Sequence, residues 1–198
     1  MNTANNADAL VAKGLEASRL NDSASALDFF TQASNAAPGS GVPHFLIGSE
    51  YASLGEMDKA EAAFANAVLV APDLAIARYQ LGLLQFSSAR AAVALLTWQP
   101  LLALPDADPL PHFVRGFAEL AQDRFDEALH HYGKGLERNT SNPALSGDIQ
   151  KVIDGIDALR RNAGAPSAAP RNPYAQPDES ASEAHVLLSN YQQQGLPH

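Results

Sequence analysis

Gly14, Gly48, Gly82 and Gly116 stand at a fixed interval of 34 residues, and that interval constrains the fold more than any other feature of the chain. Ala26, Ala60, Ala94 and Ala128 keep the same spacing, as do the bulky residues Phe30, Phe64, Trp98 and Tyr132. A further column, Ala33, Ala67, Leu101 and Gly135, is small at all but one position. Self-similarity at such a period is the signature of a repeat architecture, in which no unit can bury its own apolar face and neighbours supply the rest of the core. The register divides the chain into units at 7–40, 41–74, 75–108 and 109–142, with Pro38 and Pro72 closing the first two. A glycine inside a helix costs up to about 1 kcal/mol against alanine, so its recurrence implies a close helix approach that offsets the cost. Gly48 and Ala60 read as the small residues that let two antiparallel helices meet. Phe64 then fills space against the next unit.

These columns resemble the tetratricopeptide (TPR) family. The second unit carries the family pattern most fully, with Ile47-Gly48, Tyr51, Gly55, Ala60, Phe64, Ala67 and Pro72. The third carries Leu81-Gly82, Ala94 and Trp98, and the fourth Gly116, Phe125, Ala128 and Tyr132. The resemblance implies an all-α fold, a right-handed α-solenoid of helix–turn–helix TPR repeats with a C-terminal capping helix. It also implies a protein–protein interaction scaffold or adaptor rather than an enzyme. Departures cluster in the third and fourth units. Pro100 falls inside the expected second helix and should kink or end it near Gln99, since proline removes a backbone donor and clashes with the preceding turn. Arg90 replaces the usual acidic turn, Pro105 comes early, and Asn142-Pro143 comes late. The least regular stretch is therefore expected around 98–111.

Residues 143–163 read as one more amphipathic helix, with Ile149, Val152, Ile153, Ile156 and Leu159 at helical spacing and Asp148, Lys151, Asp154, Asp157 and Arg160 opposite. A polar outer face is what the terminal element of a repeat stack needs. Residues 164–178, with Pro166, Pro170, Pro173 and Pro177, have the composition of an extended linker. A short helix is predicted over 179–195. Ser180 and Glu183 have capping-box spacing, and Ala184, Leu187, Leu188 and Tyr191 share a face. An isolated helix of this length is marginal in water and needs a surface to fold against.

In TPR proteins the first helices of successive repeats line a concave groove. By resemblance, the groove residues here are Val11, Leu15, Phe45, Ser49, Ile76, Tyr79, Leu83 and Phe86, followed by Leu110, Phe113, Phe117 and Leu120. Lys, Arg and Asn of the kind that clamp a peptide carboxylate are absent from these positions. An apolar, aromatic groove suits an amphipathic helix presenting anchors at i, i+3, i+4 and i+7. The stripe Ala184, Leu187, Leu188 and Tyr191 is such a helix, carried by the chain itself. The same features fit two other roles. One is a secretion-type TPR chaperone for an exported partner, and the other is the TPR module of a larger enzyme system.

Charge narrows the partners. With 13 Lys+Arg against 22 Asp+Glu, the net charge is −9, which disfavours nucleic acid and anionic lipid surfaces. The expected partner is a protein or peptide, helical and apolar. Cysteine is absent, so thiolate chemistry is excluded. No apolar run approaches the roughly 20 residues that span a bilayer, and the polar start of the chain does not read as a signal peptide, so a cytoplasmic location is expected. No metal or cofactor is expected. His130 and His131 are adjacent and diverge on a helix, His44 and His112 occupy equivalent positions and read as packing, and Asp106 and Asp108 lack calcium-loop spacing.

Overall fold

A computed structural model describes residues 3–164; residues 165–178 of the expected linker and the whole 179–195 segment, with Ala184, Leu187, Leu188 and Tyr191, lie outside the described residues. The described residues are helical. In chain order the helices are α1 (Thr3–Arg19), α2 (Ser23–Ala36), α3 (Gly41–Ser53), α4 (Met57–Val70), α5 (Ala75–Ser87), α6 (Ala91–Trp98), α7 (Leu110–Leu120), α8 (Phe125–Arg138) and α9 (Pro143–Gly164), with a 3₁₀ segment at Gln99–Ala103. This is the all-α, helical-repeat fold class of an α-solenoid. The chain separates into two compact units. The first comprises Met1–Phe86 with Leu96–Trp98, and the second comprises Ser87–Leu95 with the residues from Gln99 onward.

The glycine and aromatic columns meet inside each helix pair. A Cβ added to Gly48 on α3 would lie 2.6 Å from the Phe64 ring on α4, and one added to Gly14 on α1 would lie 2.4 Å from the Phe30 ring on α2. Gly116 on α7 relates to Tyr132 on α8 in the same way. The small residue thus makes room for the aromatic ring of its own pair, rather than for the facing alanine. Phe64 does both jobs: it seats on Gly48 and also packs with Ala60 and Leu81, the latter from α5.

The most elaborate seat is Trp98. A Cβ on Gly82 would fall 2.2 Å from its indole nitrogen. That nitrogen donates a 2.9 Å hydrogen bond to the Tyr79 carbonyl, and the ring stacks against Tyr79 and Phe86 with centroids 5.9 Å away in each case. A buried indole N–H needs a partner, and the carbonyl supplies it. The α-helix stops at this residue. Pro100 cannot continue the ladder, and Gln99–Ala103 tightens into a 3₁₀ turn that buries Leu101.

The turn inside each pair repeats as well. Asn21, Gly55, Ala89 and Asp123 have φ of 59°, 76°, 61° and 55°. At three of these turns the next N–H bonds back five residues, Asp22 to Ala17, Glu56 to Tyr51 and Arg124 to Glu119, which is the Schellman closure of a helix C-terminus. Gly, Asn and Asp adopt this left-handed conformation readily, whereas Ala89 carries a Cβ penalty there.

In the second unit, α7 and α8 pack through Phe113 over Gly135 and through an edge-on contact of Phe117 with Tyr132, 5.3 Å between centroids. Helix α9 buries Leu145, Ile149, Val152 and Ile156, and its Arg160 pairs with Asp126 of α8.

Two substitutions test this account. Gly82→Ala should destabilise the chain by about 1–3 kcal/mol, the usual range for overpacking, and should shift the emission of Trp98, the only tryptophan. Ala89→Gly should stabilise it by up to about 1 kcal/mol, because strain relief of ~1–2 kcal/mol exceeds the ~0.4–1 kcal/mol of added unfolded-state entropy. Urea unfolding followed by circular dichroism measures both.

Candidate partner-binding face

The first unit presents part of the expected groove to solvent. Leu15 on α1 is 48 % exposed. Val11 one turn earlier, Phe45 and Ser49 on α3, and Ile76 and Leu83 on α5 are all half-buried. Val11 and Leu15 share a helical face with Ser18, whose hydroxyl donates a 2.7 Å hydrogen bond to the Glu50 carboxylate of α3. That bond turns this face of α1 towards α3. Phe45 lies 5.8 Å from the Phe64 ring, tilted by 40°, and packs against the core while staying partly exposed. Ser49 donates its hydroxyl to the Phe45 carbonyl, which leaves no dangling donor on the face.

The other six expected groove residues belong to the helix packing. Tyr79 and Phe86 are 0 % and 3 % exposed because both clasp Trp98. Leu110, Phe113, Phe117 and Leu120 are buried in the second unit, where Phe113 fills the space over Gly135 and Phe117 meets Tyr132. Assigning them to a solvent-facing groove is therefore corrected. Apolar spacing along a first helix does not say whether the stripe faces a partner or the second helix of its own pair, and here the large aromatics face inward.

Polar features near the helix ends escaped sequence reasoning. Glu50 is buried, and its bond to Ser18 spans 32 positions, a separation no local pattern signals. In the second unit, Asp106 organises the connection before α7. Its carboxylate pairs with Arg138 at 3.0 Å, and its carbonyl accepts from Arg138 Nε at 2.7 Å. The buried His112 places Nε2 2.9 Å from the same carbonyl. His112, expected to be a packing residue, is thus also a polar tie. The Arg138 guanidinium holds the Asp106 carboxyl below the usual carboxylate range, its hydrogen bond being the main cause. Burial, then the neighbouring His130, lowers His131. Among the described residues, no group of three or more His, Asp and Glu side chains is placed to hold a metal ion. No helix among them is long and apolar enough to cross a membrane.

Residues 43–74 match the model of the tetratricopeptide repeat. The fold is shared with solved structures of MamA. A crystal structure of MamA aligns at a TM-score of 0.55 and 21% identity, covering 68% of this chain and 78% of that one. MamA 41-end from Desulfovibrio magneticus RS-1 aligns at 0.57 and 16% identity, covering 79% and 86%. An arsTM double mutant of MamA RS-1 gives 0.57 and 16% over 79% and 85%. No curated protein sequence matches the chain.

The Asp106 tie predicts an acid dependence. A carboxylate whose pKa is depressed by folding contributes stability above its unfolded pKa, about 3.9, and that contribution is lost as pH falls through the lower folded value. Thermal melts between pH 6 and pH 3 (a window around that value) should show the midpoint falling on acidification. Asp106→Asn should flatten part of that slope while leaving the helix content at neutral pH unchanged.

Proposed function

We propose that the chain is a tetratricopeptide-repeat interaction scaffold that takes an apolar or amphipathic helical segment on the first unit, a reading supported by the repeat match at residues 43–74. The observation that carries this reading is that Val11, Leu15, Phe45, Ile76 and Leu83, apolar side chains on the first helices of successive pairs, are left half-buried or exposed. Half-buried apolar groups on consecutive helices are what a docked helix covers at i, i+3, i+4 and i+7. The face lacks Lys and Arg at the same positions, which favours an apolar contact over a carboxylate clamp. The acidic balance of the chain further favours protein over nucleic acid as the partner. The activity in this reading is non-covalent, and it is set in the cytoplasm.

The test uses a fluorescent amphipathic peptide with leucines at i, i+3, i+4 and i+7 and a scrambled control. The full chain should bind the patterned peptide saturably and the scrambled one much less. Leu15→Asp with Ile76→Asp should weaken binding by tenfold or more, since a buried aliphatic side chain contributes ~1.5–3 kcal/mol and ~1.4 kcal/mol is a factor of ten. Equal binding of both peptides, or a double variant that binds like the parent with the same melting curve, would sink the reading.

A further inference from the structure

Three features could carry a further role: the Asp106–His112–Arg138 tie, the exposed leucines Leu69 and Leu96, and the unmatched halves formed by the open apolar face of the first unit and the apolar stripe beyond α9. The tie is explained by the connection it fastens. Leu69 and Leu96 are 78 % and 71 % exposed, but nothing around either indicates what covers it. The third feature pairs a surface with a segment of the same chain.

We propose that residues 180–194 occupy the open face of the first unit in cis, so that the protein carries its own competitor for its binding site. This rests on the scaffold reading above and names the occupant of that same face. Four observations lead to it. The face consists of apolar side chains, Leu15, Phe45 and Ile76 among them, and the hydroxyl of Ser49 beside them is already satisfied within its own helix. A ligand for it therefore needs apolar anchors and no charged group. Beyond α9 the chain carries one segment of that chemistry, Ala184, Leu187, Leu188 and Tyr191 at i, i+3, i+4 and i+7, between a Pro-rich stretch and the Gly195-Leu196-Pro197 end. Glu183 and His185 are the only side chains within 180–194 that can carry charge near neutral pH, so the stripe meets the surface with little charge to strip of water. A helix this short does not hold in water by itself, so folding and docking are coupled.

The tether is long: residues 165–178 extend to at most about 50 Å at ~3.3–3.6 Å per residue. A linker of this size gives an effective concentration on the order of millimolar, so even a weak intramolecular contact excludes a weak external ligand. A partner must then either bind more tightly than the segment or wait for it to leave. The face becomes a site with a threshold, and anything that occupies the stripe from outside opens it.

The experiment uses the full chain and one full-chain variant, Leu187→Asp with Leu188→Asp, together with a labelled synthetic peptide of residues 179–195. In the variant, amide exchange on α1, α3 and α5 should speed up relative to the parent, while α7 and α8 stay the same. The labelled peptide should bind the variant about tenfold more tightly than it binds the parent, the gain expected when an intramolecular competitor is removed. The exchange difference should not change with protein concentration; a difference that grows with concentration would place the segment on a second copy and overturn the cis assignment. If exchange is unchanged and the peptide binds parent and variant equally, the face is a binding site that the chain does not occupy, and the proposal fails while the scaffold reading stands. If the peptide binds neither protein, while the patterned peptide of the preceding test still binds the parent, the segment is the wrong ligand and the proposal again fails alone. If both peptides fail on both proteins, the scaffold reading falls with it.

Discussion

The rest of the fold depends on one contact, an aromatic ring of a second helix pressed against a first helix at the place where glycine stands. Phe30 on Gly14, Phe64 on Gly48, Trp98 on Gly82 and Tyr132 on Gly116 are four versions of it. The ring can lie there only because a Cβ is missing, and the helix tolerates the glycine only because the ring buries its apolar face in return. Losing either half costs more than the propensity difference, since a large buried aromatic contributes about 3–5 kcal/mol when truncated. The contact also sets the pitch of each pair. With the helices this close, the turn between them must be short, and a left-handed residue at 21, 55, 89 or 123 closes it.

Much of this was legible because the constraint is local and periodic. The 34-residue columns announce a helical repeat, Pro100 announces the end of α6, and the spacing of Ile149, Val152 and Ile156 announces which side of α9 faces inward. The column of left-handed residues at 21, 55, 89 and 123 was not read from the sequence, because Ala89 breaks its Asn, Gly and Asp composition. The proposed face was only half legible. Leu15 and Phe113 both sit in apolar stripes on first helices, and the sequence treats them alike. What separates them is the partner each stripe meets: Phe113 finds the bare backbone of Gly135, whereas Leu15 is left about half uncovered at 48 % exposure. Long-range polar pairs such as Ser18 with Glu50 left no trace in the pattern, because a hydrogen bond between side chains 32 positions apart imposes no periodicity.

The division of labour among the aromatics follows from size. Trp98, Tyr79 and Phe86 form one buried stack, and that stack demands most of the apolar surface α5 can offer. Ile76 and Leu83, at one edge of the same helical stripe, are left half-covered. The proposed surface is therefore what core packing leaves over: apolar positions that their neighbours only partly cover. Isolated exposed leucines are common on any protein and need no such role. The difference lies in recurrence on successive first helices.

The connection ahead of α7 has a further consequence for how the length of this chain can vary. Loops are ordinarily where extra residues are accommodated. Here the carbonyl and carboxylate of Asp106 are both held by Arg138, His112 reaches the same carbonyl, and Asp108 accepts from the Leu110 amide at the start of α7. Leu101 is anchored on the other side. Slack is confined to the few residues around Ala103–Pro105. An insertion there would bulge outward without moving either neighbour, whereas one added residue between 106 and 112 would pull a buried imidazole off its acceptor. Relatives that are longer in this region should therefore carry their additions before the aspartate and keep the spacing after it.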